Sequence, residues 1–172
     1  MGLQYLEMIS KAPESQNTVD YYVMDGKTSI DNRPKELNQF SKLHFMQDID
    51  DINFHVDIIH IGSTLQYIED WKGLLQSLAD KFAPKYFVFS DFLAGDIPTF
   101  VSHQIFYEKK IPHIFFNLSD FCDFMTEKFS SSLLFRAKFI RSILNQEEVF
   151  PNFALPEKFR IDRACNLVFA RT

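Results

Sequence analysis

The stretch "VDIIHIGSTLQYIEDW", residues 56–71, decides how the rest of the chain is read. Val56, Ile58, Ile59 and Ile61 give the near-continuous apolar run of a parallel strand covered on both faces, which predicts a strand over 56–62. Gly62 lets the backbone turn sharply or approach a ligand closely, and Ser63, Thr64, Gln66 and Tyr67 offer hydrogen bonds just beyond it. In open α/β sheets ligands sit outside the carboxyl ends of the strands, so this is a binding loop by position. A strand-to-helix connection rich in turn formers is an equally weighted reading.

Working outward, Trp71, Leu74, Leu75, Leu78, Ala79 and Phe82 share one helix face, with Asp70 as the N-cap and Pro84 as the stop. "YFVFSD", residues 86–91, then reads as a buried strand ending in an acid. Upstream, Leu3, Leu6 and Ile9 predict a helix over 2–12. "DYYVMD" predicts a strand over 20–25, a weak helix falls near 33–40, and "LHFM" predicts a strand over 43–46. Downstream, residues 92–117 read as a long aromatic loop broken by Pro98 and Pro112. A helix follows from near Ser119, with Phe121, Cys122, Met125 and Phe129 inward. Alternating residues 135–139 and the run 159–170 form two closing strands. Strands alternating with helices predict an α/β fold, a doubly wound Rossmann-like sheet that is mostly parallel and ends in a C-terminal antiparallel strand pair. Residues 1–172 are expected to form a single domain.

With 46% hydrophobic and 24% charged residues the composition is that of a globular chain. A formal charge of -5 and scattered basic residues argue against a large nucleic-acid surface and favour a small-molecule partner. Two isolated cysteines, Cys122 and Cys165, supply neither a disulfide framework nor a zinc site. No long apolar run or signal peptide is evident, so a cytoplasmic protein without a membrane partner is expected.

Asp25 ends a strand where a carboxylate can hold a ribose diol, or it simply makes an Asx-turn before Gly26. Asp48 could accept from an adenine amino group, although a solvated cap is the commoner role of such an acid. His60 reads as a core or edge histidine. His103, Gln104, Tyr107 and His113 lie in the aromatic loop, as a substrate wall or as a loop packing its own rings. His113 suits a general base because its ordinary pKa is about 6.5. Asp48, Asp50 and Asp51 also form an aspartate-x-aspartate that could hold a divalent metal beside a sugar nucleotide. Walker, G-x-G-x-x-G, G-x-S-x-G, H-E-x-x-H and C-x-x-C motifs do not occur.

The segment "DIIHIGSTLQYIED" (57–70), together with "SDF" (90–92) and "IPHIFFN" (111–117), resembles a family of bacterial class I S-adenosylmethionine-dependent methyltransferases over nearly the whole chain. The resemblance implies S-adenosylmethionine as cosubstrate, with Asp25 at its ribose and Asp48 on the adenine side. It implies that Gly62, Ser63 and Thr64 line the methionine side, and that Gln66 and Tyr67 continue toward a small-molecule or glycan-precursor acceptor, beside which Gln104 of the aromatic loop is a further candidate. His113, His103 and Tyr107 are then the candidate proton-removing groups. Such enzymes carry a first strand and a glycine-rich loop, of which Gly2 would be the last glycine. The chain is therefore expected to begin inside the fold, with unpaired sheet edges open to homo-oligomerisation. A binding domain without a working donor loop, or a metal-dependent sugar-nucleotide transferase, are the alternatives.

Overall fold

The computed structural model describes residues 3–171 apart from 107, 141, 144, 145, 148–151 and 153. The chain divides into two compact units, residues 1–54 and 55–172.

In the N-terminal unit, helix α1 (Leu3–Lys11) and the single turn α2 (Ser15–Thr18) precede strand β1 (Tyr21–Met24). A short α3 (Lys27–Asp31) and a 3-10 turn (Lys35–Gln39) lead to β2 (Leu43–Met46). β1 and β2 pair in parallel, with Met24 opposite Met46, so both strands end at the same edge. The residue that α1 buries fully is Tyr5, outside the Leu3, Leu6 and Ile9 spacing; it meets Tyr21 and Phe40 edge to face over Leu37 and Leu43, and Leu6 and Ile9 are only partly buried.

The C-terminal unit begins with β3 (Ile58–Gly62), a 3-10 turn (Leu65–Tyr67) and helix α4 (Trp71–Phe82). The Asp70 carboxylate caps α4 by accepting from the Gly73 amide at 3.0 Å. α4 feeds β4 (Tyr86–Phe92), which lies parallel to β3 with Gly62 opposite Ser90, and a two-residue β5 (Ala94–Gly95) follows at once. β6 (Phe100–Phe106) and β7 (Lys109–Asn117) form an antiparallel hairpin, and α5 (Leu118–Phe129) starts at an Asn117 cap. β8 (Ser131–Lys138), a small pair β9 (Ser142–Ile143) and β10 (Gln146–Glu147), and β11 (Cys165–Arg171) complete the chain. The central sheet has the order β3-β4-β11-β8, and β11 runs antiparallel to both of its neighbours. One face of this sheet carries the phenylalanines: Phe87, Phe89 and Phe169 are fully buried, with the Phe121 and Phe129 rings of α5 against them.

This architecture corrects the expected fold. The strands do not form one mostly parallel, doubly wound Rossmann-like sheet. They form a parallel pair, a four-stranded mixed sheet, a three-stranded sheet of order β5-β7-β6, and the small β9/β10 pair. Among the described residues β1 pairs only with β2, and β3 pairs only with β4, so no strand links those two sheets. The 92–117 region is likewise no loop: it holds all three strands of the three-stranded sheet. Pro112 is tolerated because β7 there has a neighbour on one side only: β5 reaches no further back along it than Phe116. No helix among the described residues is long and apolar enough to cross a membrane.

Candidate functional site

Where β3 and β4 end side by side, the backbone does something that neither capping nor a hairpin requires. Ser63 (φ 49°) and Asp91 (φ 52°) both sit in the left-handed region, which costs a non-glycine residue about 1–2 kcal/mol. Three other such residues have local explanations: Ala83 and Ser130 close helices α4 and α5, and Glu108 lies in the hairpin turn. Asp91 lies with Ser90 opposite Asn166, where the β4/β11 ladder shifts register in a β-bulge, and Ser63 directly follows β3; bulges and strained backbone of this kind collect at functional sites. The Ser63 hydroxyl donates to Asp91 Oδ2 at 2.6 Å, the Ser63 amide donates to the Ser90 carbonyl at 2.9 Å, and the Asp91 amide donates to Asn166 Oδ1 at 3.2 Å. These bonds hold Asp91, only 7% exposed, at the mouth of the sheet.

Ser63 and Asp91 open into a cleft of about 390 Å³ between the strand ends and the β6/β7 hairpin. Tyr67 from the 65–67 turn stacks on His113 of β7, with ring centres 4.9 Å apart and planes 23° apart. The Tyr67 hydroxyl donates to Gln104 Oε1 of β6 at 2.8 Å, which ties the turn to the hairpin and fixes the plane that His113 lies against. Leu93, Phe115 and Phe139 supply apolar wall, and Ser102, His103 and Arg163 supply polar wall. Burial pushes the His113 pKa below its ordinary value, and the Asp91 carboxylate partly opposes that shift. His113 is therefore neutral at neutral pH and free to accept a proton.

Of the residues singled out from sequence, Ser63, Gln66, Tyr67, His103, Gln104 and His113 meet in this one cleft. Gly62 lies directly before it as the last residue of β3, and Thr64 folds its hydroxyl back onto the Gly62 carbonyl at 2.6 Å. Asp25 and Asp48 belong to the N-terminal unit, just past the ends of β1 and β2. Asp25 accepts from the Gly26 amide at 2.7 Å and is exposed. Asp48 accepts from the Asp50 amide at 2.9 Å and caps a 3-10 turn. His60 is an exposed edge-strand residue whose Nε2 lies 2.7 Å from Ser90 Oγ. Gly2 and Tyr107 lie outside the described residues. No group of three or more metal-ligating side chains occurs among the described residues.

The sequence reading passed over Asp91 and Arg163. Asp91 stands in the quoted "SDF", yet an acid ending a strand carries no signal of its backbone angle. Arg163 precedes the last strand in a segment read as plain strand. No protein-family model and no curated protein matches the chain.

Proposed function

We propose that this cleft is the acceptor site of an S-adenosylmethionine-dependent methyltransferase. The observation that carries the reading is the strained Ser63–Asp91 pair at the carboxyl ends of two adjacent parallel strands, opening on a neutral histidine. Ligands of α/β proteins sit at such strand ends. The likeness of "DIIHIGSTLQYIED" and "SDF" to the methyltransferase family adds to it.

Gly62, Ser63 and Thr64 would face the methionine portion of the donor. When bound, the donor supplies a methyl group on a positively charged sulfur.

The chain's own residues then do two things. Tyr67, Phe115 and Phe139 hold the acceptor and keep water from it, which is the positioning on which a transfer of this kind depends. His113, oriented by its stacking on Tyr67, takes the proton from the acceptor's oxygen or nitrogen, and the Asp91 carboxylate favours the charged ring that results.

A second reading, a binding domain without a working donor site, is favoured by the strand pairing: among the described residues β1/β2 and β3/β4 belong to separate sheets. Amide chemical-shift mapping with S-adenosylhomocysteine separates the two. Methyl transfer predicts shifts at Gly62, Ser63 and Thr64 that disappear in Ser63→Ala. A spectrum that does not move overturns it.

A further inference from the structure

The β6/β7 hairpin turns a row of side chains toward the strand-end cleft. Its register sets Phe100 opposite Phe115 and Ser102 opposite His113, and alternation along each strand puts all four on one face. On the other face Val101 and Ile105 are exposed. Ser102, His113 and Phe115 line the cleft, and Phe100 backs Phe115 face to face, with ring centres 4.8 Å and planes 4° apart. Phe115 stands edge-on to the His113 ring at 5.3 Å and 75°, Tyr67 lies along a face of that ring, and Phe139 extends the apolar wall. The base of the site is therefore framed by flat rings, with one hydroxyl, that of Ser102, beside it.

The strength of the base narrows the acceptor further. The ordinary pKa of histidine is about 6.5, and burial lowers that of His113. An aliphatic hydroxyl holds its proton about as firmly as water does, near 15.7, whereas a phenolic one gives it up near about 10. A weak base of this kind takes the second proton about five orders of magnitude more readily than the first. The cleft, of about 390 Å³, lies at the low end of small-ligand sites, roughly 300–1,000 Å³, which suits a ligand of one or two rings.

We propose that the acceptor held in this cleft is a planar aromatic hydroxyl compound, its ring against Phe115 and Phe139 and its O–H group between His113 and Ser102. The inference rests on the reading of the cleft as the acceptor site. Ring against ring gains about two- to tenfold in affinity per pair beyond what burial of area supplies, a gain that a saturated ring of the same size does not share. The proton leaves the phenolic oxygen for the unprotonated nitrogen of His113, so the acceptor becomes a phenolate and the ring an imidazolium, whose charge the Asp91 carboxylate favours. An alkyl ammonium group is about as acidic, near 10.4 for lysine, but it brings no ring to the walls that frame the base.

The test titrates the full chain with phenol, cyclohexanol and cyclohexylamine, followed by amide chemical shifts and by nuclear Overhauser contacts from the ligand. Phenol is expected to bind about tenfold more tightly than cyclohexanol, to move the amides of Ser102, His113 and Phe115, and to show ring-to-ring contacts with Phe139. Phe139→Leu keeps an apolar wall and removes the ring, so it should weaken phenol about threefold and leave cyclohexanol unchanged. Equal binding of phenol and cyclohexanol, tighter binding of cyclohexylamine than of phenol, or phenol shifts that avoid Ser102 and His113 would overturn the proposal. Any of these results in a chain that binds S-adenosylhomocysteine would leave methyl transfer standing with another acceptor. Phenol binding as described, in a chain that does not bind S-adenosylhomocysteine, would overturn methyl transfer and leave the cleft assigned to an aromatic hydroxyl.

Discussion

Both units end a pair of parallel strands at acids or hydroxyls, and the two ends are built differently. In the N-terminal unit, Asp25 and Asp48 follow β1 and β2 as exposed residues, each bonded to a backbone amide one or two positions on. In the C-terminal unit, Ser63 and Asp91 bond to each other across β3 and β4, Asp91 is buried, and both backbones are left-handed. The first arrangement is what turn chemistry produces unaided. The second needs neighbouring strands: Asp91 sits where β4 and β11 shift register, and β4 is anchored in the phenylalanine layer by the buried Phe87 and Phe89.

The largest expected effect follows from this dependence. Phe89 is fully buried on β4, two residues before Asp91, and touches the rings of Phe87, Phe92, Phe121 and Phe169. Phe89→Ala is expected to cost about 3–5 kcal/mol in denaturant unfolding. A loss under about 1 kcal/mol would mean that the layer does not hold the strand ends.

Next in size is the strain itself. Ser63→Ala and Ser63→Gly both remove the hydroxyl, so their difference reports the backbone alone. Glycine is expected to be the more stable by about 1 kcal/mol, measured as paired unfolding curves. Equal stabilities would remove the contrast between the two strand ends.

A comparable gain is expected in the other unit, from a different cause. The Tyr5 hydroxyl is buried without a hydrogen-bond partner among the described residues. Tyr5→Phe should therefore raise stability by about 1 kcal/mol. A loss on removing the hydroxyl would show that it is satisfied after all.

The smallest effect is pH dependence. Burial lowers the His113 pKa on folding, so the unfolded state takes up its proton first as the pH falls. Its contribution to stability is complete above about pH 6.5, the ordinary value for histidine, and is lost as the pH falls through the lowered value. His113→Gln should flatten this part of the stability profile, and Asp91→Asn should shift it to lower pH because the opposing carboxylate is gone. Profiles unchanged by both substitutions would mean that the ring is not desolvated in the cleft.

Much of the C-terminal unit was legible in sequence because its elements are long and periodic. The helix face from Trp71 to Phe82 and the Asp70 cap follow from local spacing, whereas the apolar run of β3, read as covered on both faces, belongs to an edge strand on which Ile58 and His60 are exposed. The hairpin was not legible, since Pro112 and a dense run of aromatics resemble a loop unless one knows that β7 lacks a second neighbour there. The single-sheet expectation failed for a related reason: which strands pair is a long-range property, and the buried-looking runs at 21–24 and 58–62 do not state their partners. At the site, the hydroxyls and rings beyond Gly62 could be named from position alone. Asp91 could not, because its importance lies in a backbone angle and in a bond to a residue 28 positions away.

The most direct measurement is calorimetric titration of the chain with S-adenosylhomocysteine, for the wild type and for Ser63→Ala. The account predicts binding that the substitution weakens at least tenfold, about 1.4 kcal/mol. Absence of binding by a chain shown to be folded, or binding indifferent to the loss of the Ser63 hydroxyl, would contradict it.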